Sequence, residues 1–543
     1  MQIAKRLCVI LMIITLLPVG GGATVYKAHP KLVVIIVIDQ FRGDYLERHR
    51  DQFVLNGLRL LMDHGAYFTD CYYDYVNLHT APGHATLGTG AYSNGHGIAG
   101  NEWYDPSRDA IVSSVEDSNT TTIGAGSGAV GASPHNLQAG TLGDELRLAT
   151  QGRSRVFGVS LKDRAAILTT GFSANAAYWI DRNTGGFQTS SYYMKELPPW
   201  AADFNAQKRT DKYWDKQWKD DTGNVLGTTD RPKEGGHESF YEVVGGTPFA
   251  IDYELEFARE LVTNEKLGQG ETTDLLVVSL SAFDILGHQV GPDSTELAAM
   301  TLAVDKQLAE FFAFLGRQVG LANVWIALSA DHGIGYMPDS VAKLHIPGQR
   351  LNGAALRKPL NEAIVKRFPD QPASDFVKQV VFPYIYLSQK NFETVGIKDE
   401  EKAEQMIGEA LKSFSGVRGF YTRAQIAKGD VPADEMGRKT LHSYSPITTW
   451  YVQVKLSPFL TDYPKEVAHM MPYSYDTHVP LLFYGLAFAP GIYRTHAEPV
   501  DLAVTLASLL GVNKPTHAVG RVLTEALAAQ PKAVSDTVKD KKE

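Results

Sequence analysis

The sequence predicts an α/β fold: a doubly wound, mostly parallel sheet with inserted cap segments. Three observations carry that expectation. Unbroken runs of β-branched residues and leucine recur along the chain, and helical patterns lie between them. In addition, 44% hydrophobic and 21% charged residues give the balance of a globular core, which excludes a disordered chain.

The first run, Leu32-Val33-Val34-Ile35-Ile36-Val37-Ile38, closes on Asp39. It is apolar without alternation, the pattern of a strand buried on both faces. Comparable runs stand at 275–280, 324–328 and 479–484, with a weaker one at 156–159. Helical patterns at 57–64, 141–149, 296–315 and 501–510 fill the intervals. Two stretches interrupt the alternation and are expected as insertions over the sheet edge. Residues 181–246 are rich in Trp, Tyr and Lys, and residues 345–444 carry their own αβ pattern around Pro383. The polar, Lys-rich tail at 529–543 is expected to lie outside the catalytic unit, which spans 24–528.

At the amino terminus, Lys5-Arg6 precede 13 residues from Leu7 to Val19, followed by Gly20-Gly21-Gly22-Ala23. The run is short of the ~20 residues that cross a bilayer, and the pattern is that of a signal peptide, residues 1–23, for export to the periplasm or beyond. Cleavage after Ala23 would remove two cations and no anion, taking the net charge from −9 to −11. So acidic a chain has no basic footprint for nucleic acid, and no later stretch is apolar enough to span a membrane. With Cys8 in the signal, Cys71 is the lone mature cysteine, which excludes an intrachain disulfide and a Cys-ligated metal site.

The chemistry is expected where ligands collect in such sheets, beyond the carboxyl ends of the strands. Asp39 ends the first run, Asp284 and His288 follow the run at 275–280, and Asp331 and His332 follow that at 324–328. His478 immediately precedes the run at 479–484. Carboxylates and imidazoles are suited to Zn²⁺ or a similar divalent ion, and six such ligands suit a pair of ions. Two metals a few Å apart stabilise the attacking and leaving oxygens of an in-line displacement at phosphorus.

The order and content of these motifs resemble the alkaline phosphatase superfamily, in particular the phosphate-irrepressible periplasmic branch with a threonine nucleophile. The motifs are Val37-Ile38-Asp39-Gln40, His79-Thr80-Ala81-Pro82-Gly83-His84, His96-Gly97-Ile98-Ala99-Gly100-Asn101, Lys162-Asp163-Arg164, Asp284-Ile285-Leu286-Gly287-His288, Ser329-Ala330-Asp331-His332-Gly333 and Tyr475-Asp476-Thr477-His478-Val479-Pro480. The resemblance implies one zinc on Asp284, His288 and His478, and a second on Asp39, Asp331, His332 and the Thr80 oxygen. It implies a phosphothreonine on Thr80, and Asn101, Lys162 and Arg164 as groups that meet the phosphoryl oxygens. The expected substrates are small-molecule phosphate monoesters, and the branch implies a monomer. His79 and His84 are expected to be structural.

Cations meeting the extra oxygens of a dianionic monoester favour it over a diester. Lys162 and Arg164 therefore separate this reading from a nucleotide pyrophosphatase/phosphodiesterase of the same superfamily. If the segment is extended, their i, i+2 spacing points both the same way. A sulfatase is disfavoured, because Thr80 stands where Cys or Ser is required and His84 where Arg is. A serine hydrolase lacks its Gly-x-Ser-x-Gly elbow. A non-catalytic carbohydrate-binding protein is the alternative of a different class, motivated by the aromatic residues of 181–246.

Overall fold

The computed structural model describes residues 29–528, except 126–127, 233–237, 372–373 and 464. The expected signal segment and the polar tail both lie outside the described residues.

An eleven-stranded sheet organises the chain. From edge to edge its strands are Gly491–Tyr493, Ala66–Phe68, Leu481–Tyr484, Val324–Ser329, Leu32–Ile38, Asp274–Leu280, Val156–Ser160, Ala176–Ile180, Phe187–Ser190, Glu116–Gly124 and Val130–Ala132. The five from Val324–Ser329 to Ala176–Ile180 are mutually parallel, and antiparallel pairs extend the sheet on both sides. Leu32–Ile38 is buried along its whole length, as its apolar run requires. Helices pack in two sets: Thr80–Thr89, Leu142–Ala149, Asp163–Thr170 and Asp501–Leu510 touch one another, as do Leu58–His64, Pro248–Asn264 and Thr295–Gln318. This is the doubly wound arrangement that covers both faces of a parallel sheet.

Register places the chemistry. Ile38 pairs with Leu280, and Val37 with both Ser279 and Ser329. The carboxyl ends of three adjacent strands therefore coincide, and the residues that follow them converge on one edge.

The aromatic stretch at 181–246 turns inward. Its strand Phe187–Ser190 joins the main sheet. The Trp200 ring lies 5.2 Å from Phe257 and its Nε1 donates to Glu265 at 2.8 Å. Trp214 meets Phe240 edge to face, and Trp218 is buried. These rings pack the protein's own core, which removes the motive for the carbohydrate-binding reading.

A second, four-stranded antiparallel sheet is built from Val377–Val381, Tyr384–Leu387, Tyr451–Leu456 and Val417–Thr422. Gly353–Val365 and Glu400–Leu411 cover it around Leu360, Ile385, Ile407 and Val452. Its strand Tyr451–Leu456 falls after residue 444. The chain then passes through 457–480 back to the main sheet.

Candidate active site

Thr80 opens the helix Thr80–Thr89, preceded by His79 in extended conformation. Pro82 is tolerated there because the first helical turn has no intrahelical use for its missing N–H. Next in the chain, Gly83 permits close approach: a Cβ there would lie 2.3 Å from the Asp331 carbonyl. The helix that Thr80 opens is thus seated directly against the loop after Val324–Ser329.

Two clusters of ligand-type groups form at this edge, Asp39–Asp331–His332 and Asp284–His288–His469, with ligand atoms within 4.8 Å of one another in each. In the first, His332 Nε2 stands 3.6 Å from Asp39 Oδ1 and 3.4 Å from Asp331 Oδ2. In the second, Asp284 Oδ1 stands 3.2 Å from His288 Nε2 and 3.6 Å from His469 Nε2. The His332 and His469 rings stack at 3.6 Å, so the clusters adjoin.

The tautomers are those a metal needs. The backbone carbonyls of Val467, Gly333 and Leu78 accept from Nδ1 of His288, His332 and His469 at 2.7, 2.9 and 2.6 Å. That leaves each Nε2 as the inward lone pair. Asp39 Oδ1, Asp331 Oδ2 and His332 Nε2 are buried without a hydrogen-bond partner among the described residues. Such orphaned acceptors are costly unless a cation meets them, and the donor set of imidazole and carboxylate fits a divalent ion.

The structure corrects the expectation for His478. Its Nε2 donates to the Thr69 carbonyl at 3.0 Å and its ring stacks on Tyr72 at 4.6 Å. The ring belongs to neither cluster, and His469 stands as the third ligand-type group beside Asp284 and His288. The signal for His469 was slight, an imidazole in Val467-Ala468-His469-Met470-Met471, with no strand or helix to give it a direction.

Lys162 departs from expectation as well. It is buried, and its Nζ donates to Asp39 Oδ2 and Asp284 Oδ2 at 2.6 Å each, bridging the two clusters. Nor does the extended i, i+2 geometry hold, because Arg164 lies in the helix Asp163–Thr170. Arg164 nevertheless lines the cavity of about 150 Å³ that Thr80, Asn101, Asp284, His288 and His469 also line. Asn101 Oδ1 accepts the Ala81 N–H at 2.8 Å, which leaves its amide N–H groups free to donate. A chamber of about 760 Å³ shares Asn101 and Arg164 and continues past Trp179, Tyr241 and Arg182.

Electrostatics divide the carboxylates. Burial and the Asp331 charge push Asp39 well above the usual carboxylate range. Burial would raise Asp284 too, but Lys162 and His288 hold it well below that range. Burial, and then the charges of His332 and His288, push the His469 imidazolium down, which favours the neutral ring. Burial likewise brings His79 down to about 4, with its Nε2 donating to the Phe382 carbonyl at 3.0 Å.

Gln40 went unnoticed as a site residue. With φ at 68°, it donates its backbone N–H to Asp331 Oδ1 at 3.0 Å and its Nε2 to Asp284 Oδ1 at 2.7 Å. One residue thereby fixes a carboxylate in each cluster. Gly287 makes room for it, since a Cβ there would overlap Gln40 Oε1. His84 is fully buried, with Nε2 on Ser279 Oγ at 2.8 Å and Nδ1 on the Thr80 carbonyl at 2.8 Å.

Comparison with known proteins gives the chain its family. Residues 33–429 match the family described as type I phosphodiesterase / nucleotide pyrophosphatase. A Myroides odoratus protein named calcium-transporting ATPase is 33% identical over 92% of this chain and 95% of its own. The alkaline phosphatase PhoV of Synechococcus elongatus is 34% identical over 92% of this chain and 93% of its own. The crystal structure of the alkaline phosphatase PafA superposes with a TM-score of 0.85 at 30% identity, over 92% of this chain and 99% of that one. Among the described residues, no helix is long and apolar enough to cross a membrane. The chain belongs to the type I phosphodiesterase / nucleotide pyrophosphatase family, on the alkaline phosphatase branch of its superfamily.

Proposed function

We propose that this chain hydrolyses phosphate monoesters as an alkaline phosphatase, through a phosphothreonine on Thr80. The observation that carries the reading is the shared cavity, where Thr80, Asn101 and Arg164 face Asp284, His288 and His469, with the second ligand cluster adjoining. Likeness to PhoV and PafA, both named alkaline phosphatases, supports it.

Asp39, Asp331, His332 and the Thr80 oxygen would hold one zinc, and Asp284, His288 and His469 the other. Bound there, zinc supplies Lewis acidity that brings the threonine hydroxyl toward the alkoxide and stabilises a leaving oxygen. Thr80 Oγ loses its proton and bonds to phosphorus as the bond from phosphorus to the leaving oxygen breaks. Water then attacks phosphorus, the bond to Thr80 Oγ breaks, and inorganic phosphate leaves. Arg164 and the Asn101 amide orient the non-bridging oxygens, and the chamber beyond them admits the leaving group. Lys162 neutralises the carboxylates between the clusters and holds Asp39 and Asp284 in place.

The family also contains phosphodiesterases, which makes diester hydrolysis the second reading. A monoester and a diester sharing a 4-nitrophenolate leaving group decide between them. A higher kcat/KM on the monoester is expected, and a higher value on the diester would reverse the assignment. Metal analysis should return two zinc equivalents per chain. Export, with cleavage after Ala23, is tested by amino-terminal sequencing of the mature protein, and the monomer by gel filtration.

A further inference from the structure

We propose that Asp476 is the positioning residue of the Asp284–His288–His469 cluster, its buried carboxylate holding the strained loop that presents His469. The inference rests on the metal reading above.

His469 comes from a loop without regular structure, so something must fix its direction. Before the histidine the loop is tied to the main sheet's edge: Val467 N–H donates to the His288 carbonyl at 3.0 Å, and Gly335 N–H to the Ala468 carbonyl at 3.3 Å. Directly after it, Met470 has φ of 108°, in the left-handed region that a side chain disfavours. A strained residue persists only where its surroundings over-determine it. On the far side of Met470 the restraint is Asp476, whose Oδ2 accepts the Met471 N–H at 2.9 Å.

Asp476 is itself rigidly placed. It is fully buried, and its backbone carbonyl accepts the Gly333 N–H at 2.7 Å. Its N–H donates to the Tyr473 carbonyl at 3.0 Å. Since Gly333 follows His332, Asp476 refers the His469 loop to the strand-end cluster. The motif Tyr475-Asp476-Thr477-His478 thus contributes a clamp for a residue six to nine positions earlier, and its histidine stands outside both ligand clusters.

The test is zinc titration of the full chain, with equivalents and affinities read separately from activity. The wild-type chain is expected to bind two ions; if it binds fewer, the two-metal reading is what fails. Asp476→Ala should weaken one of the two by about 10- to 100-fold, the usual cost of losing a ligand's support, and leave the other within about threefold. Asp476→Asn keeps a carbonyl for the Met471 N–H and folds more securely, and a smaller loss at the same single site is expected. Met470→Gly, which accepts φ of 108° without strain, should recover part of the affinity lost in Asp476→Ala. Two ions held at wild-type affinity in Asp476→Ala would overturn the proposal. So would equal weakening of both ions, or no recovery with Met470→Gly, because a merely structural carboxylate predicts those results.

Discussion

The two ligand clusters are built from different kinds of scaffold. Asp39, Asp331 and His332 follow two neighbouring parallel strands, and all three are fully buried. Their separation is set by strand register, which a one-residue slip would destroy along with the buried faces. Asp284 and His288 instead share one helical turn, and His469 arrives on a loop more than 170 residues later. The His288 side chain keeps 20% of its surface exposed. One cluster is therefore as rigid as the sheet, whereas the other depends on long-range contacts that can fail without unfolding the protein.

The largest effect is expected where both clusters serve one atom. Thr80→Ala removes the nucleophile and should lower kcat/KM on a monoester by roughly 10³-fold or more, about 4 kcal/mol of barrier. Zinc content should hold in the composite cluster, Asp284–His288–His469, and weaken in the strand-end cluster, Asp39–Asp331–His332, which would lose one oxygen ligand. Activity within about tenfold of wild type would mean that Thr80 is no covalent nucleophile.

Next in size is the contrast between clusters. His332→Ala and His469→Ala should each cost one zinc, but His332→Ala should destabilise the fold more. It empties a fully buried site at the sheet edge, and a large-to-small change there costs about 2–5 kcal/mol. Melting curves of the two metal-free variants test this. If His469→Ala loses as much stability as His332→Ala, the proposed difference in rigidity is wrong.

The same division explains what the sequence made legible. Asp39, Asp331 and His332 were readable because an unbroken apolar run fixes the strand and its end fixes the ligand. Asp284 and His288 were readable from i, i+4 spacing, which puts both on one helix face. His469 was not, because nothing local determines where an irregular loop points. His478 was the expected ligand on sound local grounds, and the structure places it outside the cluster. The strand Leu481–Tyr484 runs antiparallel to Val324–Ser329, so its amino end does lie at the catalytic edge. The ring's direction was decided by Tyr72 and Thr69, which no spacing rule connects to it. The Trp residues of 181–246 show the converse, since composition alone does not say whether an aromatic faces solvent or core.

A smaller effect should separate substrates. Arg164 is the cation free to meet a phosphoryl oxygen, with Nε buried and unpartnered among the described residues, and an Asp163 contact of 3.7 Å. A charge-assisted hydrogen bond is worth roughly 1.5–3 kcal/mol, so Arg164→Ala should cost about 10- to 200-fold on a monoester and less on a diester. Lys162→Ala should behave differently, because Lys162 bridges Asp39 and Asp284 at 2.6 Å. It should lower activity on both substrates and alter zinc affinity in both clusters. Equal losses on the two substrates for Arg164→Ala would favour the phosphodiesterase reading.

The smallest effect is expected for His478→Ala, and it is the most direct test of the composite cluster. The His478 ring stacks on Tyr72 and donates one hydrogen bond to the Thr69 carbonyl. An aromatic contact and a neutral hydrogen bond are each worth about 0.5–1.5 kcal/mol, so the variant should lose about 1–3 kcal/mol of stability. Because neither contact reaches a ligand atom, zinc should remain at two equivalents and kcat/KM within about threefold. His469→Ala differs at the metal: one zinc lost, with a stability loss of similar size, because its ring also stacks on His332 and donates to the Leu78 carbonyl. Measured side by side, the pair distinguishes a ligand from a packing residue without reference to activity. A zinc lost from His478→Ala and kept in His469→Ala would return the ligand role to His478, and the Asp476 clamp would then have nothing to position.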